Sequence, residues 1–451
     1  MLAALANSNH PVKTVLIIYP HWPPSNLVGV QRVRIVAGCL HRHGWHPVIL
    51  TVHPRHYEEM PDPHLEKTLR PGLEVIRTEA FPVLQIAGKR LIGDIGLRAF
   101  WHTYRRGKAL IKNRQIDFIW ISMPSWYPAL LGRIFHRQAK IPYGIDYQDP
   151  WRNQLAPYHL RFSRAWWTNL LAALLEPAAV GKAALLTGVA QPYYQPVLDR
   201  YFGSKTIRHT AIQLGFDPAD YRLETTEPET PWPTDRSIRP FVYAGALLPH
   251  AHLFIQRLFE SLAIIKRQAA LPTEARFYFL GTGSTNGPTV VDHARAAGVE
   301  DLVTEVPDRF PFLHILHFLK AAAGVLIIGS TEQHYTASKT FQCLLSGRPV
   351  FAMLHQASEA AAILRTSRAD SYLVAYQSDQ TPGDFQNKTL ETLKRYLGNS
   401  QPWAPDLAAL APYSADSAAG KLAAVFDNAL ENAGRGAHNS DIPKHGVNRK
   451  K

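Results

Sequence analysis

Short apolar runs alternate with helical patterns along most of the chain. In the first half the strand-like runs are TVLIIYP, VILTV, LEVIRT, DFIWISM, YGIDY and ALLTGVA. In the second half they are FVYAGAL, ARFYFLG, GVLIIG, RPVFAM and SYLVAYQ. Continuous apolar runs are typical of strands buried on both faces, and their alternation with helices indicates βαβ units and parallel sheets. The pattern predicts an α/β protein with two successive doubly wound, Rossmann-like sheets.

The length of 451 residues exceeds what one hydrophobic core usually supports, so two domains are expected. We predict an N-terminal domain over residues 1–205 and a second domain over 206–410. The polar, proline-rich segment YRLETTEPETPWPTDRSIRP predicts an exposed loop near their junction. Residues 411–433 predict an amphipathic helix that packs back on the N-terminal domain, and residues 434–451 are typical of a disordered basic tail.

Net charge and cysteine content limit the possible binding partners and cellular compartments but do not identify the partner. The formal net charge of +13 favours something anionic, which includes nucleic acid, a phospholipid surface and phosphorylated substrates. Cys39 and Cys343 both lie in helical patterns, so no disulfide framework is expected and a reducing cytoplasm fits. The N-terminus lacks the features of a secretory signal, and the most apolar later stretch is too interrupted to span a bilayer. We expect a cytoplasmic protein that is soluble or peripheral to a membrane.

The segment YPHWPPSNLVGVQRVR joins the first predicted strand to a helix through a proline-rich turn. In open α/β sheets, ligands bind outside the carboxyl ends of strands, where N–H groups of a helix N-terminus meet phosphate or sugar oxygens. Gly29 would let a ligand approach the backbone closely. The segment predicts a phosphate-binding loop, with an ordinary strand-to-helix turn as the alternative.

The segment IPYGIDYQDPWRNQ places two carboxylates just past a predicted strand. Asp149 and Asp146 can accept a proton or a hydrogen bond from an acceptor hydroxyl, which makes them the candidate catalytic residues. Trp151 and Arg152 follow and are predicted on the acceptor side, with Trp151 as a wall of the site. The alternative is an aspartate that caps the next helix. The two aspartates are spaced DxxD, so a metal-binding DxD motif is absent at this point.

The segment HYTASKTFQCLLSGRPVFA predicts a helix that begins at Ser338 and Lys339 and ends near Gly347. A hydroxyl, an ammonium group and the positive end of a helix together predict a clamp for a diphosphate. Gln342 lies one turn further, where its amide can reach ribose hydroxyls. Helix capping by Ser338 is the alternative, and it is compatible with a phosphate contact.

Glycines end two strands of the second half, in FVYAGALLPH and FYFLGTGST. Gly245, Gly281 and Gly283 are predicted to admit a nucleotide to the sheet edge. Tight turns explain these glycines nearly as well.

At these motifs the sequence resembles the family 4-like glycosyltransferases of the GT-B fold, of the kind that build bacterial surface polysaccharides. The features that carry the resemblance are YPHWPPSNLVGVQR, IDYQDPW, LGFDP at residues 214–218 and SKTFQCLLSGRPV. The resemblance covers most of the chain except the tail. It implies two Rossmann-like domains that face each other across a cleft containing the active site.

The resemblance implies sugar transfer from a nucleoside diphosphate sugar without an essential metal or other cofactor, and with retention at the anomeric carbon. It places donor phosphates against the Gly29 loop and the segment that contains Gly245. The ribose-binding glutamate position is held by Gln342, and the partner glutamate position by His334. The arginine and lysine usual after YAGALLPH are missing, and Lys339 can supply the charge.

Two segments mix basic, aliphatic and aromatic residues, namely residues 88–114 and the stretch around Trp166 and Trp167. Such segments can lie on an anionic membrane surface. The alternative is an apolar face on the core and a solvated basic face. We predict a glycan or lipid-linked acceptor and attachment at the inner face of the cell membrane. No zinc-finger, RNP-like or helix-turn-helix pattern occurs, so nucleic acid is not expected as a partner.

Two other functions fit the same residues. A sugar-nucleotide epimerase can share this two-domain fold and acts on its donor without a second substrate. A catalytically inactive binding or scaffold protein is compatible with the altered positions at Gln342 and His334.

Overall fold

The computed structural model describes residues 12–86, 89–152, 161–203, 207–213, 215–223, 228–233, 237–247, 249–283, 287–331, 333, 339–398 and 403–438. Contacts divide the chain into two compact units. The first unit comprises Met1–Leu214 with Ala415–Lys451, and the second comprises Gly215–Ser414.

The strands are β1 (Lys13–Ile18), β2 (Trp45–Val52), β3 (Glu74–Thr78), β4 (Leu84–Ile86), β5 (Lys89–Ile92), β6 (Phe118–Ser122), β7 (Tyr143–Tyr147), β8 (Leu185–Gly188), β9 (Arg208–Ala211), β10 (Arg239–Ala244), β11 (Ala275–Leu280), β12 (Val303–Val306), β13 (Gly324–Ile328), β14 (Val350–His355) and β15 (Leu373–Tyr376). The helices are α1 (Val28–Cys39), α2 (Ile95–Asn113), α3 (Ala129–Ala139), α4 (Arg164–Val180), α5 (Gln191–Tyr201), α6 (His252–Arg267), α7 (Val290–Ala297), α8 (Phe312–Ala321), α9 (Lys339–Leu345), α10 (Glu359–Thr366), α11 (Pro382–Leu397) and α12 (Ala415–His438).

Each unit contains one parallel sheet. The order in the first is β3-β2-β1-β6-β7-β8-β9, and in the second β12-β11-β10-β13-β14-β15. Between β3 and α2 in the sequence, β4 and β5 form a separate antiparallel pair. The order reverses between β1 and β6 in one sheet and between β10 and β13 in the other. In open α/β sheets this reversal, at the carboxyl ends of the strands, is where ligands bind.

The central strands are buried on both faces, which explains their continuous apolar sequences. One face of the first sheet packs on α1 and α12 and the other on α2 to α5. Phe426 of α12 stacks on Phe118 with ring centroids 4.7 Å apart, and it contacts Trp45 edge-on at 5.2 Å. The last helix of the chain therefore supplies core to the first unit.

The boundaries differ from the prediction at both ends of the second unit. β9 pairs with β8 in the first sheet, so the division falls at 214/215 rather than 205/206. The sequence of β9, RHTA, has mostly exposed side chains, and its pairing depends on backbone hydrogen bonds. Residues 411–414 belong to the second unit, and α12 extends through 434–438, which were predicted as tail. The rest of the tail lies outside the described residues.

The proline-rich segment before β10 also differs from a simple exposed loop. Its Trp232 is buried and contacts Tyr278 and Phe318, with ring centroids 5.2 and 5.9 Å away. The segment is thus anchored on the second unit, because an indole of this size buries a large apolar area.

Candidate functional site

Asp146, at the carboxyl end of β7, lies in a buried hydrogen-bond network. Arg32 of α1 donates to both of its oxygens, at 2.9 Å from Nε and 2.7 Å from Nη2. Ser122 and Thr187 each donate a hydroxyl hydrogen bond at 2.7 Å. This fully buried carboxylate is held in place by four hydrogen bonds from the protein, which fill its acceptor positions. Asp146 is therefore a structural anchor between α1 and the sheet, which corrects its prediction as a catalytic residue.

Gly29 lies in the first turn of α1, where the protein's own side chains fill the adjoining space. A Cβ atom at this position would lie 2.4 Å from the Tyr19 hydroxyl and 2.7 Å from Oε1 of Gln148. The glycine is thus explained by packing within the protein rather than by the approach of a ligand. Leu27, the N-cap residue of α1, provides no side-chain cap, and its carbonyl accepts from the Val30 N–H at 3.0 Å.

Asp149 differs from Asp146 in its exposure and in its hydrogen bonds. It is exposed and makes no side-chain hydrogen bond within the described residues. The surrounding protein nevertheless removes part of its hydration, which raises the pKa of its carboxyl group above the ordinary value. The carboxylate of Asp149 thus lies exposed just after a strand end, and its contact with a substrate hydroxyl stays a prediction.

The two residues predicted on the acceptor side are less exposed. Trp151 is buried in the core of the first unit and contacts Tyr127 edge-on, with ring centroids 6.4 Å apart. Arg152 is half-buried and donates to the Tyr201 hydroxyl at 3.5 Å. Trp151 therefore fixes the backbone that carries Asp149, whereas a contact of Arg152 with an acceptor stays a prediction.

Three predicted glycines lie together at the carboxyl edge of the second sheet. Gly245, Gly281 and Gly283 have φ angles of 127°, 72° and 78°, which side chains rarely allow. Their N–H groups donate to the neighbouring chain, to Leu280 at 2.8 Å, Val306 at 2.7 Å and Pro307 at 3.0 Å respectively. These amides are thus occupied, and what the glycines leave is space, since Gly281 and Gly283 have almost nothing within 4 Å of a built Cβ.

Lys339 reaches this edge from the start of α9. Its ammonium group donates to the Tyr243 hydroxyl at 2.7 Å and lies 3.0 Å from the position of a Gly245 Cβ. The Tyr243 hydroxyl in turn donates to the Ala246 carbonyl at 2.8 Å, and burial raises the pKa of Tyr243, which keeps the phenol neutral. The structure brings together two residues, Lys339 and Gly245, that are far apart in sequence.

Other predicted residues of the second unit are only partly placed. Gln342 is half-buried on α9 and makes no side-chain hydrogen bond within the described residues. Ser338 and His334 lie outside the described residues, as does Leu214 of the LGFDP segment.

Sequence inspection missed several histidines at strand ends. His252 begins α6, directly after the β10 turn, and its Nδ1 lies 3.0 Å from Nε2 of His293. In the first unit, His21 follows β1, and its Nδ1 lies 2.9 Å from Oε1 of Glu59. The histidines in YPHWPP and LLPHAH were visible signals, since each follows an apolar strand within a few residues.

The two segments predicted to lie on a membrane differ in how much of their apolar surface is exposed. α2 buries its apolar stripe, including Ile95, Ala99 and Leu110, as the alternative interpretation requires. α4 instead exposes apolar side chains with helical spacing: Trp167, Leu170, Leu171 and Leu174. Within the part of the chain that the structure describes, no helix is long and apolar enough to cross a bilayer.

A metal-binding cluster of histidine, cysteine and carboxylate side chains is not found among the described residues. His43 and His46 in the first unit each approach a single carboxylate, Asp416 and Glu74 respectively.

Solved structures with the same fold span nearly the whole chain. HepE from Anabaena in complex with UDP and glucose is 16% identical, with 92% of this chain and 100% of that chain covered and a TM-score of 0.53. A glycosyltransferase from Rickettsia africae is 13% identical, with 94% and 100% covered and a TM-score of 0.51. The N-terminal domain of Candida albicans trehalose-6-phosphate phosphatase is 12% identical, with 95% and 97% covered and a TM-score of 0.51.

These likenesses and the two parallel sheets confirm the predicted two-domain α/β fold of the GT-B type. The sequence matches no protein-family model and no curated protein.

Proposed function

We propose that the protein is a glycosyltransferase that moves a sugar from a nucleoside diphosphate sugar to a hydroxyl of a glycan or lipid-linked acceptor. The observation that carries this proposal is the Lys339 ammonium group held against Gly245 at the reversal point of the second sheet. The GT-B fold supports the same class of chemistry, and HepE, of this fold, was solved with UDP and glucose.

The donor diphosphate is proposed to bind at the edge formed by Lys339, Gly245, Gly281 and Gly283. During transfer the bond to the anomeric carbon breaks and negative charge grows on the departing diphosphate. A fixed cation there stabilises the transition state more than the ground state. A buried ammonium supplies the charge that a metal would otherwise bring, so we propose a metal-independent reaction. The half-buried amide of Gln342 is proposed to meet the ribose.

The acceptor is proposed to bind at the carboxyl edge of the first sheet, where Asp149 accepts a hydrogen bond from one of its hydroxyl groups. Asp149 is suited to this because it is exposed and has no protein donor within the described residues. The resemblance in sequence predicts retention, in which the acceptor proton passes to the departing diphosphate without a protein base.

An anionic membrane that presents a lipid-linked acceptor is proposed as a partner of α2, α3 and α4. These helices cover the same face of the first sheet, with α3 packed against both neighbours. Their only acidic residue, Glu176, is buried. Exposed basic side chains on α2 and α3 are Arg105, Arg106, Lys108, Lys112, Arg133 and Arg137. Basic and apolar groups on one surface fit anionic lipid headgroups.

The proposal is tested by measuring thermal stabilisation with UDP-, GDP-, ADP- and CMP-sugars, followed by product analysis with the sugar that stabilises. Specific stabilisation by one donor and release of its nucleoside diphosphate support a transferase, because a ligand that binds the native state raises the melting temperature. An isomerised donor would instead identify an epimerase. Binding without turnover, or no binding at all, would favour the inactive scaffold.

A further inference from the structure

A buried ion pair joins the two helices that follow the Asp149 loop in the chain. Glu176, on the inner face of α4, is fully buried, and Nη2 of Arg200 from α5 donates to its Oε2 at 2.8 Å. Burial opposes the charge of Arg200, but the Glu176 carboxylate outweighs burial and raises the pKa of the guanidinium. The two charges therefore compensate each other, and neither residue takes part in the binding roles proposed above.

The Tyr201 hydroxyl connects this pair to the loop after β7. It donates to Oε2 of Glu176 at 2.9 Å and accepts a hydrogen bond from Nη1 of Arg152 at 3.5 Å. Because the phenol proton is directed at the carboxylate, the oxygen lone pairs are left for the guanidinium. Glu176 thus orients the hydroxyl group to which Arg152 is bonded.

Arg152 keeps most of its hydrogen-bonding capacity. Its side chain is half-buried, and the long contact with Tyr201 is the one side-chain hydrogen bond that its guanidinium makes among the described residues. Those residues also give it no carboxylate partner, whereas a charged side chain away from the surface is usually paired. The partner is therefore expected in a ligand. A guanidinium fork fits the oxygens of a phosphate or a carboxylate.

Arg152 and Asp149 offer two different contacts from one loop. They carry opposite charges three residues apart, yet they form no ion pair with each other. Trp151, between them, is buried and fixes the backbone of both. A substrate at this edge of the first sheet thus meets a carboxylate suited to a hydroxyl and a guanidinium suited to an anion.

Exposed aromatic rings follow this loop at the beginning of α4. The rings of Phe162 and Trp167 are both exposed, with their centroids 6.5 Å apart. Phe162 has a φ of 64°, which bulky residues rarely adopt and which occurs often at ligand-binding sites. The rings suit a hydrocarbon chain. A phosphate can join such a chain to a sugar through two ester bonds and still keep a charge, whereas a carboxylate loses its charge in an ester.

We propose that Arg152 binds the phosphate that links a sugar to a hydrocarbon chain in the acceptor, an inference that rests on the proposed sugar transfer. Tyr201 is a positioning residue that holds the guanidinium, and Glu176 holds Tyr201. Asp149 meets a hydroxyl of the acceptor sugar, and the chain contacts the exposed rings at the beginning of α4.

Titration calorimetry with octyl phosphate tests this assignment without any sugar donor. The titrations use the Lys339→Met background, which removes the cation proposed for the donor diphosphate in the second unit. We expect Arg152→Met to lower the affinity for octyl phosphate about tenfold to a hundredfold, the range for losing a hydrogen bond between charged groups. Arg152→Lys should restore part of the affinity, because it keeps the charge but loses the fork.

Two other probes separate the phosphate from the chain. Octyl glucoside has the same chain without a charge, and its binding should not depend on Arg152. Inorganic phosphate has the charge without a chain, and it should bind more weakly than octyl phosphate while still depending on Arg152. Equal affinities for inorganic phosphate and octyl phosphate would overturn the hydrocarbon chain and assign the site to a soluble phosphorylated acceptor.

Two tyrosines of the same cluster give a matched test of positioning. The Tyr147 hydroxyl is buried without a hydrogen-bond partner among the described residues, and burial, followed by the charge of Glu176, raises its pKa. Tyr201→Phe should weaken octyl phosphate binding about threefold to tenfold, because Arg152 loses its contact. Tyr147→Phe should leave binding unchanged. With the acceptor, Tyr201→Phe should raise the acceptor KM and leave kcat and the donor KM unchanged, which a general loss of structure would not do.

A readout on the wild type does not depend on the folding of any variant. The Nε–H resonance of Arg152 should shift when octyl phosphate is added and stay in place with octyl glucoside. An unshifted resonance with octyl phosphate, or equal octyl phosphate affinity of Lys339→Met with and without Arg152→Met, would overturn the assignment while the transferase proposal stands. Absence of turnover with every donor would overturn the transferase proposal, and the titrations would still decide whether Arg152 binds phosphate.

Discussion

Arg32 and Asp146 form a buried bidentate ion pair, with Nη2–Oδ1 and Nε–Oδ2 distances of 2.7 and 2.9 Å. The guanidinium also donates to the Ile212 carbonyl just after β9. The pair therefore ties α1 to two strands on the far side of the reversal point. Ser122 donates to Asp146 and accepts from Gln148, which also donates to the Gly29 carbonyl, so hydrogen bonds link the buried pair to the first turn of α1.

Asp146→Asn should destabilise the protein strongly, whereas Asp149→Asn should not. Removal of one partner from a buried ion pair costs about 3 to 5 kcal/mol because the other charge stays buried without compensation. For a unit of this size that corresponds to a fall of about 6 to 20 °C in melting temperature. Asp149→Asn removes an exposed carboxylate and should instead raise the acceptor KM. Equal melting temperatures for the two variants would contradict the structural role of Asp146.

Gly29→Ala should destabilise the first unit by about 1 to 3 kcal/mol, since its Cβ would overlap the Tyr19 hydroxyl. Tyr19→Phe removes the nearer of the two overlapping oxygens and leaves Oε1 of Gln148. The double variant Gly29→Ala/Tyr19→Phe should therefore lose less stability than the sum of the two single changes, which a double-mutant cycle in urea unfolding measures. Strict additivity would show that Gly29 is glycine for another reason.

Lys339→Met should weaken donor binding by about tenfold to a hundredfold, the range for losing a hydrogen bond from a charged donor. Methionine keeps the apolar stem, so the melting temperature without donor should not fall, and removal of a buried charge can raise it. Titration calorimetry with the nucleoside diphosphate measures the effect. Lys394→Met, on the exposed side of α11, is the matched control and should bind the donor normally. Equal donor affinity in both variants would remove Lys339 from the site.

The sequence was sufficient for the fold because the central strands are buried on both faces. Every apolar run that was predicted as a strand overlaps a strand of the structure. The strands that escaped prediction, β9 and β12 among them, lie at sheet edges and carry exposed side chains, so no apolar run marks them. Backbone pairing alone defines such strands.

The candidate site was predicted less completely, because contacts between distant residues are invisible along the chain. The spacing of Asp146 and Asp149 predicted one role for both, yet Arg32 from another element binds Asp146, whereas Asp149 makes no side-chain hydrogen bond among the described residues. Gly29 suggested an open loop, and only the fold reveals that Tyr19 fills it. The contact of Lys339 with Gly245 needed the sheet order, which places β10 beside β13.

The exposed apolar row on α4 gives the membrane proposal its own prediction. Trp167 and Leu174 lie about two helical turns apart, and their side chains are 53% and 67% exposed. Phe162, before the helix, is 76% exposed. We expect the protein to sediment with vesicles rich in phosphatidylglycerol at low salt. It should not sediment with phosphatidylcholine vesicles, nor at about 0.5 M salt, where surface charges are screened.

Two variants separate the contributions of charge and apolar contact to vesicle binding. Arg105→Glu/Arg106→Glu should lower affinity at least about tenfold, since each basic residue near an anionic surface contributes about 1 kcal/mol. Trp167→Ser/Leu174→Ser should weaken binding even where its salt dependence persists, because buried apolar area is lost. Lys394→Glu changes charge on the second unit and should bind as the wild type does. If the wild type stays in the supernatant with anionic vesicles, these helices are a solvated basic face and the acceptor is reached without a membrane.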